Sequence, residues 1–105
     1  MIRSDELFAE RYPRRDRIQV LADIVTVCSE PTKLTRILRL ANVQYNFFKK
    51  AMETLREAGI MESTSTDSRD ERTRFEFEAT DVGISWRNFV HLVYIMLNSG
   101  NDFDE

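Results

Sequence analysis

The stretch KLTRILRLANVQYNFFKKAMETLREAGI, Lys33 to Ile60, holds two short amphipathic patterns almost end to end, parted only at Ala41-Asn42-Val43. One continuous helix would serve a bundle core equally well. A tight break is required only where the second helix leaves the first at a steep angle and presents its own N-terminus outward. In the first pattern Leu34, Ile37, Leu38 and Ala41 form a narrow apolar stripe, and Lys33, Arg36 and Arg39 stay on the outward side. In the second, from about Gln44 to Ala58, Phe48, Ala51, Met52 and Leu55 recur at three- and four-residue steps. Asn42 can end the first helix because asparagine tolerates the left-handed backbone, and Gly59 closes the second for the same reason.

Upstream, Ile18, Leu21, Ala22, Val25 and Cys28 share one helical face, so a helix is predicted from near Arg14 to about Cys28. Val20, Ile24 and Val27 add a second stripe beside the first. A helix apolar over so much of its circumference must be covered on more than one side. Pro31 ends it by disfavouring helical geometry in the residue before. Thr32 then reads as the N-cap of the next helix, its hydroxyl able to satisfy an orphan backbone N–H.

After Ile60 the period changes. Met61 to Ser65 is rich enough in serine and threonine for a short strand, and Arg74 to Ala79 alternates polar and apolar. The intervening Thr66 to Arg72 has no apolar residue and reads as the loop of a β-hairpin. Phe75 and Phe77 are expected on one face against the helices, with Arg74, Glu76 and Glu78 in solvent. Thr80 caps a final helix from Asp81 to about Asn98, Asp81 standing favourably near the positive end of the dipole.

No apolar run reaches the roughly 18 residues of a membrane span. The opening MIRSDELFAE carries acids where a signal peptide would be apolar, and the single Cys28 cannot form an internal disulfide. A cytoplasmic location is therefore expected. Net charge is −3, but it is unevenly spread. Arg11 to Ala58 carries ten Lys/Arg against five Asp/Glu, and the remainder carries five against thirteen. Attraction to phosphate depends on the local field, so a basic face can coexist with an acidic whole. An unevenly charged solvated surface would look the same on charge alone.

Catalytic signals are missing. There is no glycine-rich phosphate loop, no HExxH, and a single histidine, His91, with no metal-ligand spacing to Cys28. Glu76 and Glu78 lie on the solvent side of a strand, and Cys28 sits on an apolar face as core filling. No enzyme activity, cofactor, metal or small-molecule ligand is expected.

Three helices followed by a hairpin is the order of a winged helix-turn-helix domain. TRILRLANVQYNFFKKAMETLREAGIM with FEFEATDVG resembles the small winged-helix DNA-binding proteins common in archaea. The resemblance implies a mainly α chain with a small β-hairpin, an α+β fold of three helices plus wing followed by a long C-terminal helix. It implies an N-terminal extension at 1–13, the winged domain at 14–80, a dimerisation helix at 81–98 and a disordered acidic tail at 99–105. The expected partners are double-stranded DNA and a second copy of the chain.

In such a unit the N-terminal turns of the second helix of the motif face base edges. The outward positions there are Gln44, Tyr45, Asn46, Lys49 and Lys50. Gln and Asn can pair with adenine, and lysine can reach guanine or phosphate. Arg14, Arg15 and Arg17 cluster at the start of the first helix, and Lys33 and Arg36 at the start of the next. Cations there oppose the helix dipole, so phosphate contact is the better account of them. Arg69, Arg72 and Arg74 are weaker wing candidates because acidic neighbours can pair with them. Trp86, Phe89, Val90, Val93, Met96 and Leu97 form a stripe wider than a small winged domain covers. Such a patch marks an interface, here a two-fold pairing of terminal helices with the first helices along the seam. The alternative is a winged helix that docks a protein partner and has little affinity for DNA.

Overall fold

The computed structural model describes residues 15–67, 69, 70 and 74–98. The extension at 1–13, Arg14, Arg72 and the tail at 99–105 lie outside the described residues. Among the described residues, four helices and a three-stranded antiparallel sheet follow one another as α1 (Arg17–Val27), β1 (Thr32–Lys33), α2 (Leu34–Leu40), α3 (Tyr45–Glu57), β2 (Met61–Ser65), β3 (Phe75–Ala79) and α4 (Asp81–Asn98).

Helix α1 starts at Arg17, three residues later than the periodicity predicts, because Asp16 and Gln19 form a capping box. Gln19 N–H donates to Asp16 Oδ1 at 2.9 Å, and Asp16 N–H donates to Gln19 Oε1 at 2.8 Å. Two orphan donors are thereby satisfied before the first turn. Its second apolar stripe, expected to seek a partner copy, is covered by its own domain. Ile24 and Val27 are buried in the main core beside Val25 and Ile37, and Val20 packs against that core. Ile18, one turn before the buried Ala22 on the expected face, is nonetheless 49% exposed.

Thr32 does not cap α2. Its hydroxyl turns back to the carbonyls of Val27 and Glu30, and Lys33 is the N-cap without a side-chain hydrogen bond. Thr32 and Lys33 instead form a third strand, pairing with Phe77 and Glu76, so the sheet order is β1-β3-β2 rather than a lone hairpin. On the other edge Met61 faces Ala79, and Ser63 faces Phe77.

The two helix ends around the motif share one device. Asn42 adopts φ 54°, and Val43 N–H donates to Leu38 O at 3.1 Å. Gly59 adopts φ 75°, with Ile60 N–H donating to Leu55 O at 2.8 Å. In both, a left-handed residue lets the following N–H reach back to a carbonyl in the last turn, and at Gly59 a second bond from its own N–H to Arg56 O completes a Schellman motif. They stop α2 and α3 sharply and fix where each leads.

Phe48, Ala51, Met52 and Leu55 are all buried, as the spacing of α3 requires. Phe77 meets Phe48 edge to face, with ring centroids 5.1 Å apart, an arrangement the ring quadrupoles favour. Phe75 does not reach the core. It is 41% exposed, because β3 carries it past the end of the helical layer. Thr80 caps α4 as expected: its Oγ1 accepts from Gly83 N–H at 3.0 Å and donates to the carbonyl of Gly59.

Helix α4 lies back along α1. Ala22 and Val90 are buried against each other, with Trp86 and Tyr94 alongside. The Tyr94 hydroxyl donates to the carboxylate of Asp16, which raises the Tyr94 pKa to about 12. Val90, expected at a dimer seam, is thus buried within its own chain, and Trp86 packs on both internal clusters. The stripe is wide enough to serve two surfaces, and these residues fall on the inner one. Among the described residues no helix is long and apolar enough to cross a membrane.

Candidate nucleic-acid interface

The outward face of α3 begins directly after the left-handed turn at Asn42. Gln44, Tyr45, Asn46, Lys49 and Lys50 are all exposed; Asn46 and Lys50 lie opposite the buried Phe48 and Leu55, and Tyr45 and Lys49 lie along the Met52 edge. Gln44 occupies the N-cap position with no side-chain hydrogen bond to the helix. Its amide is accordingly not committed to capping.

The shape of the surface divides these residues. Tyr45 and Lys49 line a groove of about 510 Å³ between α3 and the wing strands, shared with Arg56, Arg74 and Phe75. Asn46 and Lys50 line a second groove of about 480 Å³ facing α1, together with Arg17 and Phe47. Arg17 is exposed, so a cation from the start of α1 joins the far side of the helix face. Arg36 is exposed on α2, and Arg69 and Arg74 are exposed in and beside the wing loop. Lys33 is half-buried at the strand edge, 3.9 Å from Glu76, a partly exposed pair worth little to stability.

Arg15 is employed differently. Its guanidinium is 2.5 Å from Asp23, a carboxylate with 0% exposure, and it donates to the carbonyls of Ala41 and Asn42 at 2.8 and 2.9 Å. A cation at the end of α2 complements the helix dipole and satisfies carbonyls the helix leaves open. The dipole argument that pointed Arg15 toward phosphate therefore has an internal answer: the relevant helix end is the C-terminus of α2. Sequence reasoning missed this clamp because its ends are 26 residues apart.

Arg56 was also missed. Tyr45, Lys49, Met52 and Arg56 follow at four, three and four residues, so the helical period alone could have placed them on one edge. Arg56 donates to Ser63 Oγ at 3.0 Å, which orients it along β2.

The terminal helix keeps a second face open. Phe89, Leu92 and Met96 are 64, 54 and 51% exposed, and Val82 is 62% exposed one heptad before Phe89. Leu97 is exposed at the end, and Val93 is half-buried between the two faces.

A winged helix-turn-helix family model matches residues 14–89. No curated protein matches the sequence significantly. Among solved structures, the chain is similar to Sso10a-2, a DNA-binding protein from Sulfolobus solfataricus. The TM-score is 0.66 at 18% identity, covering 85% of this chain and 93% of that one. It is also similar to a variant of ZitR from Lactococcus lactis, with TM-score 0.56 and 14% identity over 88% of this chain and 65% of that one. At these identities the likenesses speak to the fold. The order of elements, the left-handed break before α3 and the match across most of the chain agree, and the protein belongs to the winged helix-turn-helix family.

Proposed function

We propose that the protein binds double-stranded DNA as a two-fold dimer and acts as a transcriptional regulator. The observation that carries this reading is the exposed polar face of α3, presented immediately after the turn at Asn42. In this role Gln44 and Asn46 read base edges, Lys49 and Lys50 reach guanine or phosphate, and Arg17, Arg36 and the wing arginines hold the backbone. Arg15 is left out of the contact set, since its guanidinium is spent on Asp23 and the α2 carbonyls. Similarity to Sso10a-2, a DNA-binding protein, supports the same reading.

Dimerisation is proposed through the outer stripe of α4: Phe89, Leu92 and Met96, with Val82 one heptad before. These positions repeat at three and four residues, the spacing of a helix-pairing seam. Ile18 lies one turn before Ala22 on α1, on the side α4 covers, and can extend that apolar surface. The wing and α4 thus belong to separate tasks, contact and spacing.

A fluorescence-anisotropy titration against mixed duplex DNA at two salt concentrations tests the reading. Affinity should fall steeply with salt as phosphate contacts release counterions. Lys49→Ala with Lys50→Ala should weaken binding by roughly 1–3 kcal/mol if one contact is base-specific, and by less for phosphate alone. A folded double variant with unchanged affinity refutes the assignment of α3. Salt-independent or absent DNA binding favours a protein-docking module instead.

A further inference from the structure

The groove between α3 and the wing strands is larger than phosphate contact requires. Its walls carry two exposed aromatic rings, Tyr45 at 50% and Phe75 at 41%, floored by Phe48 and Phe77. Three cations line it, Lys49, Arg56 and Arg74, against one carboxylate, Glu53. Its volume of about 510 Å³ leaves room for a flat ring beside the cations. Phe77 makes the edge-to-face contact with Phe48, while Phe75 on the same strand stays 41% exposed.

Aromatic faces beside a line of cations are the two components that hold unpaired nucleotides. Stacking accepts any base because each has a π-face, and the cations follow the phosphates. A base within a duplex cannot use such walls, because its faces are already stacked on its neighbours. We propose that this groove takes an unpaired base of a single DNA strand, stacked on Tyr45 and Phe75, with flanking phosphates on Lys49, Arg56 and Arg74. The inference rests on the nucleic-acid reading of α3 and extends it: duplex and single strand share Lys49 and Arg74, while Phe75 belongs to the single strand alone. The protein would then hold a strand locally opened beside its duplex site.

The test is anisotropy with a fluorescein-labelled oligothymidine, a strand of equal length carrying abasic sites, and a duplex. Phe75→Ala should bind oligothymidine about tenfold more weakly, the scale of losing one stacked base, with duplex affinity unchanged. Phe75→Trp should bind at least as tightly as the parent. The parent should bind the abasic strand at least as weakly as Phe75→Ala binds oligothymidine. Circular-dichroism melting checks that the variants fold, which the exposure of Phe75 favours. Equal affinity of parent and Phe75→Ala for oligothymidine overturns the proposal, as does tight binding of the abasic strand or an equal loss on duplex and single strand. A parent that binds duplex and no oligothymidine refutes the groove alone; one that binds neither refutes the nucleic-acid reading beneath it.

Discussion

Removing the Arg15 side chain is the perturbation with the most to say about how the motif is held. The carboxylate of Asp23 is fully buried in α1, and the Arg15 side chain that meets it is 11% exposed. The same guanidinium bridges to two carbonyls in the turn between α2 and α3. Arg15→Ala strips the cation from a carboxylate that water does not reach, and breaking such a pair from one side costs about 3–5 kcal/mol. The lost bonds to Ala41 and Asn42 are included in that figure, because the three contacts share one group and do not add independently. Arg15→Lys keeps the charge but not the planar fork that serves Asp23 and the carbonyls together, so about 1–3 kcal/mol should still be lost.

Urea unfolding followed by circular dichroism measures both. With a slope of roughly 1–3 kcal/mol/M, Arg15→Ala should lower the midpoint by on the order of 2 M. Protein concentration must be held constant, since a dimer's apparent stability depends on it. A double-mutant cycle with Asp23→Ala should return a clear coupling energy, because each single change removes the same contact. If Arg15→Ala costs less than about 1 kcal/mol, the pair behaves as an exposed ion pair and the clamp does not exist.

Leu92→Glu places a charge on the outer face of α4. In a monomer its effect should stay within about 0.5 kcal/mol, whereas in a paired helix it should yield monomers by light scattering; an unmodified protein that is monomeric at micromolar concentration refutes the dimer. Gly83→Ala should destabilise despite a helix-propensity gain of about 1 kcal/mol, because the added Cβ would stand 2.1 Å from the carbonyl oxygen of Ile60. A net loss of roughly 1–3 kcal/mol is expected, and a thermal melt at or above the parent's would show that α4 does not approach Ile60 so closely. Burial pushes the Cys28 thiol up from the ordinary value of 9.0 to about 12. Since the unfolded chain releases that proton first, the stability it confers is complete below pH 9.0 and lost as pH rises toward about 12. Cys28→Ala should flatten that alkaline loss, and an Ellman's-reagent assay should find the thiol unreactive until the protein unfolds.

Much of the motif was legible locally. The breaks at Asn42 and Gly59 rest on left-handed backbone that few residues accept, and each sits beside an apolar pattern that stops in phase with it. The cap at Thr80 and the inward face of α3 are likewise decided within a few residues. So is the exposure of Asn46 and Lys50, since helical period alone turns them from Phe48 and Leu55. What lay beyond the sequence were partnerships between distant segments. Two residues, Thr32 and Lys33, are too few to signal a strand and become one only by hydrogen-bonding to β3. Phe75 and Phe77 share an alternation, yet only the reach of the helical layer puts Phe77 on Phe48 and leaves Phe75 in the groove. An apolar stripe says that a face must be covered and not by what, so only the packed structure gave Ile24 and Val27 to the domain core and Val90 to α1. Arg15 makes the same point for charge: capping and periodicity act over one or two helical turns, whereas the carbonyls it holds are brought to it by the fold.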